Sequence, residues 1–365
     1  MTVLETIVPV AATGMFNWAW LMIAIPALGA ALLLLGAGNA LAGGFSIYEA
    51  GARATAMGGA FTATADDGSA IFYNPAGIAF IPGTVLDLNL MPVMPSTDFT
   101  GYPPGEDAPA GETVSQSFPI PGLYFTHNPG RHLAFGVGVY APFGLGVEWE
   151  NPREWVGRYA SYDVDLATVY VTPTCALKLG ENTAVAFGLD VTGCKIELNR
   201  ISTGPAGTPL ADIDALDSAL EGTSDLSFAP SLGFLARPHR DVSLGFMYHA
   251  AKALHFPDGD ATLTNIAPEP YRAATDGLIA MLGGPDHKVS TTLRLPWIMS
   301  AGIAWQTSEA TRLEFDVVRF GWSQFNELKL SFDVPALNQT VPENYQDAWQ
   351  LRWGLDHRFS PTLSG

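Results

Sequence analysis

From about residue 84 the chain alternates apolar with small or polar residues. Leu133, Phe135, Val137 and Val139 alternate with Ala134, Gly136 and Gly138. Val185, Phe187, Leu189 and Val191 alternate with Ala186, Gly188 and Asp190, and Leu351, Trp353, Leu355 and Phe359 with Arg352, Gly354, Asp356 and Arg358. Period two predicts strands, and an apolar outer face over a small or polar inner face is the pattern of a transmembrane β-barrel. A soluble sandwich alternates equally well, but its strands average only about five or six residues. The connections separate the two. Tight turns at Asn128–Arg131, Gly180–Thr183, Arg237–Arg240 and Gln306–Ala310 alternate with long links near 96–115, 143–160, 201–222, 257–287 and 331–346. Ten strands are expected, near 84–95, 116–127, 131–142, 161–179, 183–200, 223–237, 240–256, 287–306, 310–330 and 347–359. The fourth shows no clean single-face pattern. The fold class is all-β, a transmembrane antiparallel barrel over residues 84–365.

Two segments precede it. No charge occurs from Thr6 to Tyr48, Trp18–Ala37 is almost wholly apolar, and Ala40-Leu41-Ala42 has the small-x-small form of a signal-peptidase site. Residues 1–42 therefore read as a signal peptide. Its n-region lacks Lys and Arg, and the run could span a bilayer, so an uncleaved anchor is the alternative. Residues 43–83 are crowded with Gly and Ala, carry Phe45, Ile47, Phe61, Ile71 and Phe72 as an apolar set, and include Asn74-Pro75-Ala76 just before the first strand. Pro fixes φ and biases the residue before it away from helix, so the triplet alone is a turn signal.

That segment, placed between an export signal and a barrel pattern, resembles the N-terminal plug, or hatch, of the FadL/TodX family of outer-membrane transporters for long-chain fatty acids and other hydrophobic compounds. Pro142-Phe143-Gly144-Leu145, Glu148-Trp149 and Trp155-Val156-Gly157-Arg158-Tyr159 resemble the family's segment leaving the third strand, and Val169–Leu179, Leu295–Trp305, Phe315–Phe325 and Tyr345–Phe359 its later strands. The resemblance implies a kinked third strand opening a gap in the wall, with Pro142, Phe143 and Gly144 there; a strand that simply ends before a loop is the other reading. It also implies fourteen strands, so about four are expected beyond the tenth, and a monomer when full length. Substrate-binding and gating roles fall to Phe45, Ile47, Phe61, Phe72, Asn74, Pro75, Ala76, Pro142, Phe143 and Gly144. Passive diffusion of a hydrophobic small molecule past the plug, with lateral exit to outer-membrane lipid in a Gram-negative cell, is the implied function. A polar-solute porin and a structural or adhesive barrel are the rivals.

Composition agrees. Only 15% of residues are charged, and a net charge of −18 excludes a nucleic-acid partner, which needs clustered cations. The acidity falls largely in loops such as Gly105–Glu112 and Asp212–Asp225. A turn at Gly180–Thr183 would leave Cys175 and Cys194 on the order of 20 Å apart at ~3.3 Å per residue, so two free, buried thiols are expected. Motifs for metal, phosphate or cofactor binding are absent, and His249 and His255 read as lumen or girdle histidines rather than catalytic ones. Glu314 and Asp316 share a face beside Arg312 and read as mutually paired lumen charges. Ala211–Leu220 and Tyr271–Leu282 look helical; in the second, Leu278, Ile279, Met281 and Leu282 would either capture ligand or pack within the loop. The mature chain should begin at Gly43. N-terminal sequencing of the membrane-inserted protein checks this, and retention of residues 15–42 would support the anchor.

Overall fold

The computed structural model describes residues 44–101, 110–130, 132–360 and 363–364. The predicted signal peptide lies outside them. Ten long strands follow one another as antiparallel neighbours: β1 (Gly83–Val93), β2 (Phe118–Asn128), β3 (Leu133–Tyr140 and Gly144–Glu148), β4 (Asp163–Lys178), β5 (Thr183–Thr203), β6 (Asp214–Thr223 and Ser227–His239), β7 (Val242–His249 and Lys252–Asn265), β8 (Asp286–Leu295 and Ile298–Ser308), β9 (Thr311–Phe320 and Glu327–Phe332) and β10 (Gln339–Pro342 and Ala348–Ser360). Residues on the expected outer face are exposed, among them Phe135, Phe187 and Trp353, while Ala134, Gly188 and Gly354 are buried. No helix among the described residues is long and apolar enough to cross a membrane.

Two expectations need correction. Ala211–Leu220 is not helical: Asp214–Thr223 is the upper half of β6, paired with β5 and β7. Its Ala and Leu content favours helix, but neighbouring strand edges supply backbone partners that override propensity. Cys175 is only half-buried, opposite Phe187 in the ladder, while Cys194 is buried opposite Thr168; both are free. The helix expected at Tyr271–Leu282 forms over Arg272–Met281.

Six of these strands are interrupted. The segments between these breaks and the short turns run 8 to 13 residues, close to the roughly 9–11 a transmembrane strand needs. Above the breaks, pairing resumes in an outer collar. The third strand does not end at Pro142: it kinks over Ala141–Phe143 and re-pairs with β4 from Gly144 to Glu148.

Residues 48–81 lie against the inner face of this sheet, with Phe61, Ile71, Phe72, Tyr73 and Ile78 almost wholly buried. Each such side chain contributes about 1.5–3 kcal/mol of apolar burial. Glycines on the wall allow the approach. A Cβ on Gly245 would lie 2.1 Å from the Thr62 carbonyl oxygen, and one on Gly233 would lie 2.6 Å from Asn74 Oδ1 and 2.7 Å from the Ala76 nitrogen. Replacing Gly245 with Val should therefore cost about 1–3 kcal/mol or more, since the obstacle is backbone. Gly193→Ala, whose Cβ would meet nothing nearer than 3.6 Å, should cost little. Denaturant unfolding in detergent compares them.

Candidate functional site

The inner segment brings many backbone amides to the wall, and the wall supplies acceptors. Asp316 Oδ2 accepts the N–H groups of Phe61 and Thr62, both at 2.9 Å. Two residues earlier on the same face, Glu314 Oε1 accepts those of Ala63 and Thr64 at 2.6 and 3.2 Å. Contrary to the pairing expected from sequence, Arg312 does not bond these carboxylates. Its guanidinium reaches Asp66 of the segment at 2.9 Å, and Arg53 of the segment bridges Asp66 to Asp356 of β10. The two carboxylates are thus free to hold backbone.

Asn74 joins the same seam. Its Nδ2 donates to the Thr62 carbonyl at 2.8 Å and to the Phe234 carbonyl of β6 at 2.9 Å, while Oδ1 accepts the Ala76 N–H and caps the short 3₁₀ helix Pro75–Phe80. Gly233 opposite has no side chain to obstruct it. Nearby, the buried Tyr73 hydroxyl donates to the Tyr48 carbonyl and accepts from Ala50 N–H. Burial pushes this phenol well above its ordinary pKa, so it stays protonated and can donate.

At the kink of β3 the segment's start enters the wall. Ile47 N–H donates to the Pro142 carbonyl at 2.7 Å, Gly144 N–H donates to the Phe45 carbonyl at 3.1 Å, and Ser46 faces Phe143 as an antiparallel bridge. Pro142 has no N–H to offer, so the kinked strand presents only part of a ladder. The Phe143 carbonyl accepts from Thr168 Oγ1 of β4 at 2.6 Å.

Behind the kink lies a buried polar cluster. Asp190 of β5 accepts from Lys252 Nζ at 3.0 Å and Thr172 Oγ1 at 2.9 Å, and it contacts His249 Nδ1 at 2.9 Å. The other His249 nitrogen meets the Phe72 carbonyl at 2.9 Å, and Lys252 lies 3.9 Å from the Tyr170 ring centroid. A cavity of about 10 Å³ is lined by His249 and Lys252 of this cluster together with Phe72, Phe143, Tyr170 and Ile298. That is room for a single water.

A family model described as outer membrane protein transport protein (OMPP1/FadL/TodX) matches residues 33–364. The chain belongs to this family. It is 23% identical over 342 residues to a long-chain fatty acid transport protein of Escherichia coli O6:H1, covering 88% of this chain and 75% of that one. Its fold is shared with a Pseudomonas aeruginosa FadL homologue (TM-score 0.71, 19% identity, 88% of this chain and 79% of that one). It is shared also with the Ralstonia pickettii toluene transporter TbuX (TM-score 0.64, 18% identity, 87% and 85%). This FadL/TodX-family chain is an outer-membrane protein of a Gram-negative bacterium, in a family of transporters for hydrophobic compounds.

Within it, the residues singled out from sequence fall into two groups. Phe45, Ile47, Pro142, Phe143 and Gly144 meet at the kink, whereas Phe61, Asn74, Pro75 and Ala76 pack where the segment is tied to the wall. Phe72 lies between them, its ring 5.4 Å from Tyr140 and its carbonyl on His249. Sequence reading missed the partners. Asp190 was visible as a lone carboxylate at an inward position between Gly188 and Thr192, but nothing local pointed to Lys252.

Replacing Asp316 with Ala should loosen the segment, because two buried amides are left without their acceptor at about 1–3 kcal/mol. Limited proteolysis should then cut within residues 48–81 while the sheet keeps its heat-modifiable gel mobility. Glu327→Ala, at an exposed position, serves as control.

Proposed function

We propose that this chain carries a hydrophobic or amphipathic small molecule across the outer membrane by diffusion, with residues 43–83 as a movable plug. The molecule is caught among the outer loops, where the Arg272–Met281 helix exposes Met281. It then occupies the space bounded by Phe72, Phe143, Tyr170 and Ile298 once the plug shifts, and it leaves sideways at the kink of β3. No energy source is invoked: binding favours the plug conformations that admit the molecule.

One observation carries the reading. Among the described residues two backbone hydrogen bonds dock the start of the plug in the break of β3, so the element that closes the wall is tied to it less densely than the middle of the segment is. The E. coli relative is a long-chain fatty acid transport protein and the R. pickettii neighbour a toluene transporter, and either class of ligand suits an aromatic lining. The buried Lys252–His249–Asp190 cluster adds a polar anchor that an acid headgroup could use. A polar-solute porin would instead line its lumen with solvated charge, whereas this one is filled with Tyr, Phe and Trp.

A disulfide tests the exit. Ser46 and Phe143 form a non-hydrogen-bonded antiparallel pair, flanked by the bonds of Ile47 and Gly144. Their Cα atoms should lie about 4.5 Å apart, within disulfide range. The Ser46→Cys/Phe143→Cys variant, made with Cys175 and Cys194 replaced by Ser, should lose uptake of labelled fatty acid or toluene when oxidised and regain it on reduction. Undiminished uptake by the cross-linked protein would remove the β3 break from the route.

A further inference from the structure

The ninth strand is interrupted as well, and its break turns inward rather than outward. Between Phe320 and Glu327 the chain forms a 3₁₀ turn, Trp322–Gln324, that carries Trp322 into the lumen, where it is 1% exposed. The turn is anchored at its root, since Gly321 N–H donates to the Trp297 carbonyl of β8 at 2.8 Å and Tyr345 N–H donates to the Phe325 carbonyl at 3.3 Å. Among the described residues no ladder pairing connects β9 with β3, so Trp322 meets the β3 break through side-chain contact alone.

There it meets the segment that fills the β3 break. Its ring lies 4.7 Å from Phe45, edge to face at 63°, and 5.8 Å from Phe143 at 89°. Phe45 and Phe143 are 6.1 Å apart, so the three rings close on one another. Tyr345, 5.5 Å away, backs the indole from the side of β10. Gly44 is required beneath it: its φ is +59°, and a Cβ there would stand 2.6 Å from the indole. The inward turn of β9 thus presses an aromatic face onto the residues that close the break.

We propose that Trp322 is a positioning residue, the far jaw of a clamp that holds residues 44–46 in the break of β3. The proposal rests on the reading of that break as the exit. Two backbone bonds hold the segment to the near wall, and withdrawing it also requires parting the Phe45 and Gly44 contacts with Trp322. A ligand ring or alkyl chain that replaced Phe45 against the indole would release the segment without leaving an empty cavity. The chemistry that opens the gate is therefore apolar and matches that of the cargo.

A single reporter cysteine reads the clamp directly. Ser46→Cys, with Cys175 and Cys194 replaced by Ser, is labelled with a maleimide in the folded protein, folding being judged by heat-modifiable mobility. Trp322→Ala should raise the labelling rate about tenfold or more, as the loss of two aromatic pairs implies, and Trp322→Phe should remain within about twofold of the parent. Gly44→Ala leaves β9 untouched and should raise the rate as well, which keeps the test decisive if Trp322→Ala folds poorly. Equal rates in Gly44→Ala and the parent would overturn the clamp. Faster labelling with unchanged uptake would uphold the clamp and instead remove the β3 break from the transport route.

Discussion

A polypeptide placed inside a barrel must find partners for its backbone without the regular ladder of a strand, because a buried N–H left unpaired costs a large part of a typical stability margin. The wall solves this with two carboxylates. Asp316 and Glu314 project from one face of β9 and take four consecutive amides, Phe61 to Thr64. Asn74 closes the same turn from the segment's side by bonding Thr62 and Phe234 at once. The rest of the interior is arranged around that seam. Gly245 and Gly233 have no side chain because backbone or Asn74 passes where a Cβ would be.

Away from the seam the bonding thins. Near the short-turn end, ion pairs among Arg53, Asp66, Arg312 and Asp356 tie the segment to β9 and β10. At the β3 kink the segment is held by two backbone bonds and by ring contacts. The segment is therefore tied most densely in its middle and least at its start, the distribution that the proposed gate needs. Phe45 touches both Phe143 in the kink and Trp322 in the inward turn of β9, so a rearrangement of residues 44–47 would change both.

Much of this was legible in the sequence. Period-two alternation located the ten strands to within a few residues over most of their length, because a strand with lipid on one side and a lumen on the other has little freedom in where it puts Phe135, Phe187 or Trp353. Pro142 announced an irregularity, since Pro cannot complete a ladder. The misreadings arose where local signals compete with distant ones. Ala211–Leu220 looked helical, yet the edges of β5 and β7 were waiting for it. Arg312 was paired with its neighbours on β9, yet its partner, Asp66, lies far away in the chain.

The sequence by itself determined the class of the protein, the order of its strands, the outward face and the presence of an apolar segment ahead of them. These depend on residues adjacent in the chain or two apart. Only the tertiary structure decided that Glu314 and Asp316 grip backbone, that Asp190 gathers His249 and Lys252, and that Trp322 meets Phe45. Each of those contacts joins strands or segments distant in sequence, and curling the sheet around the segment is what brings them within reach. No periodicity records that distance.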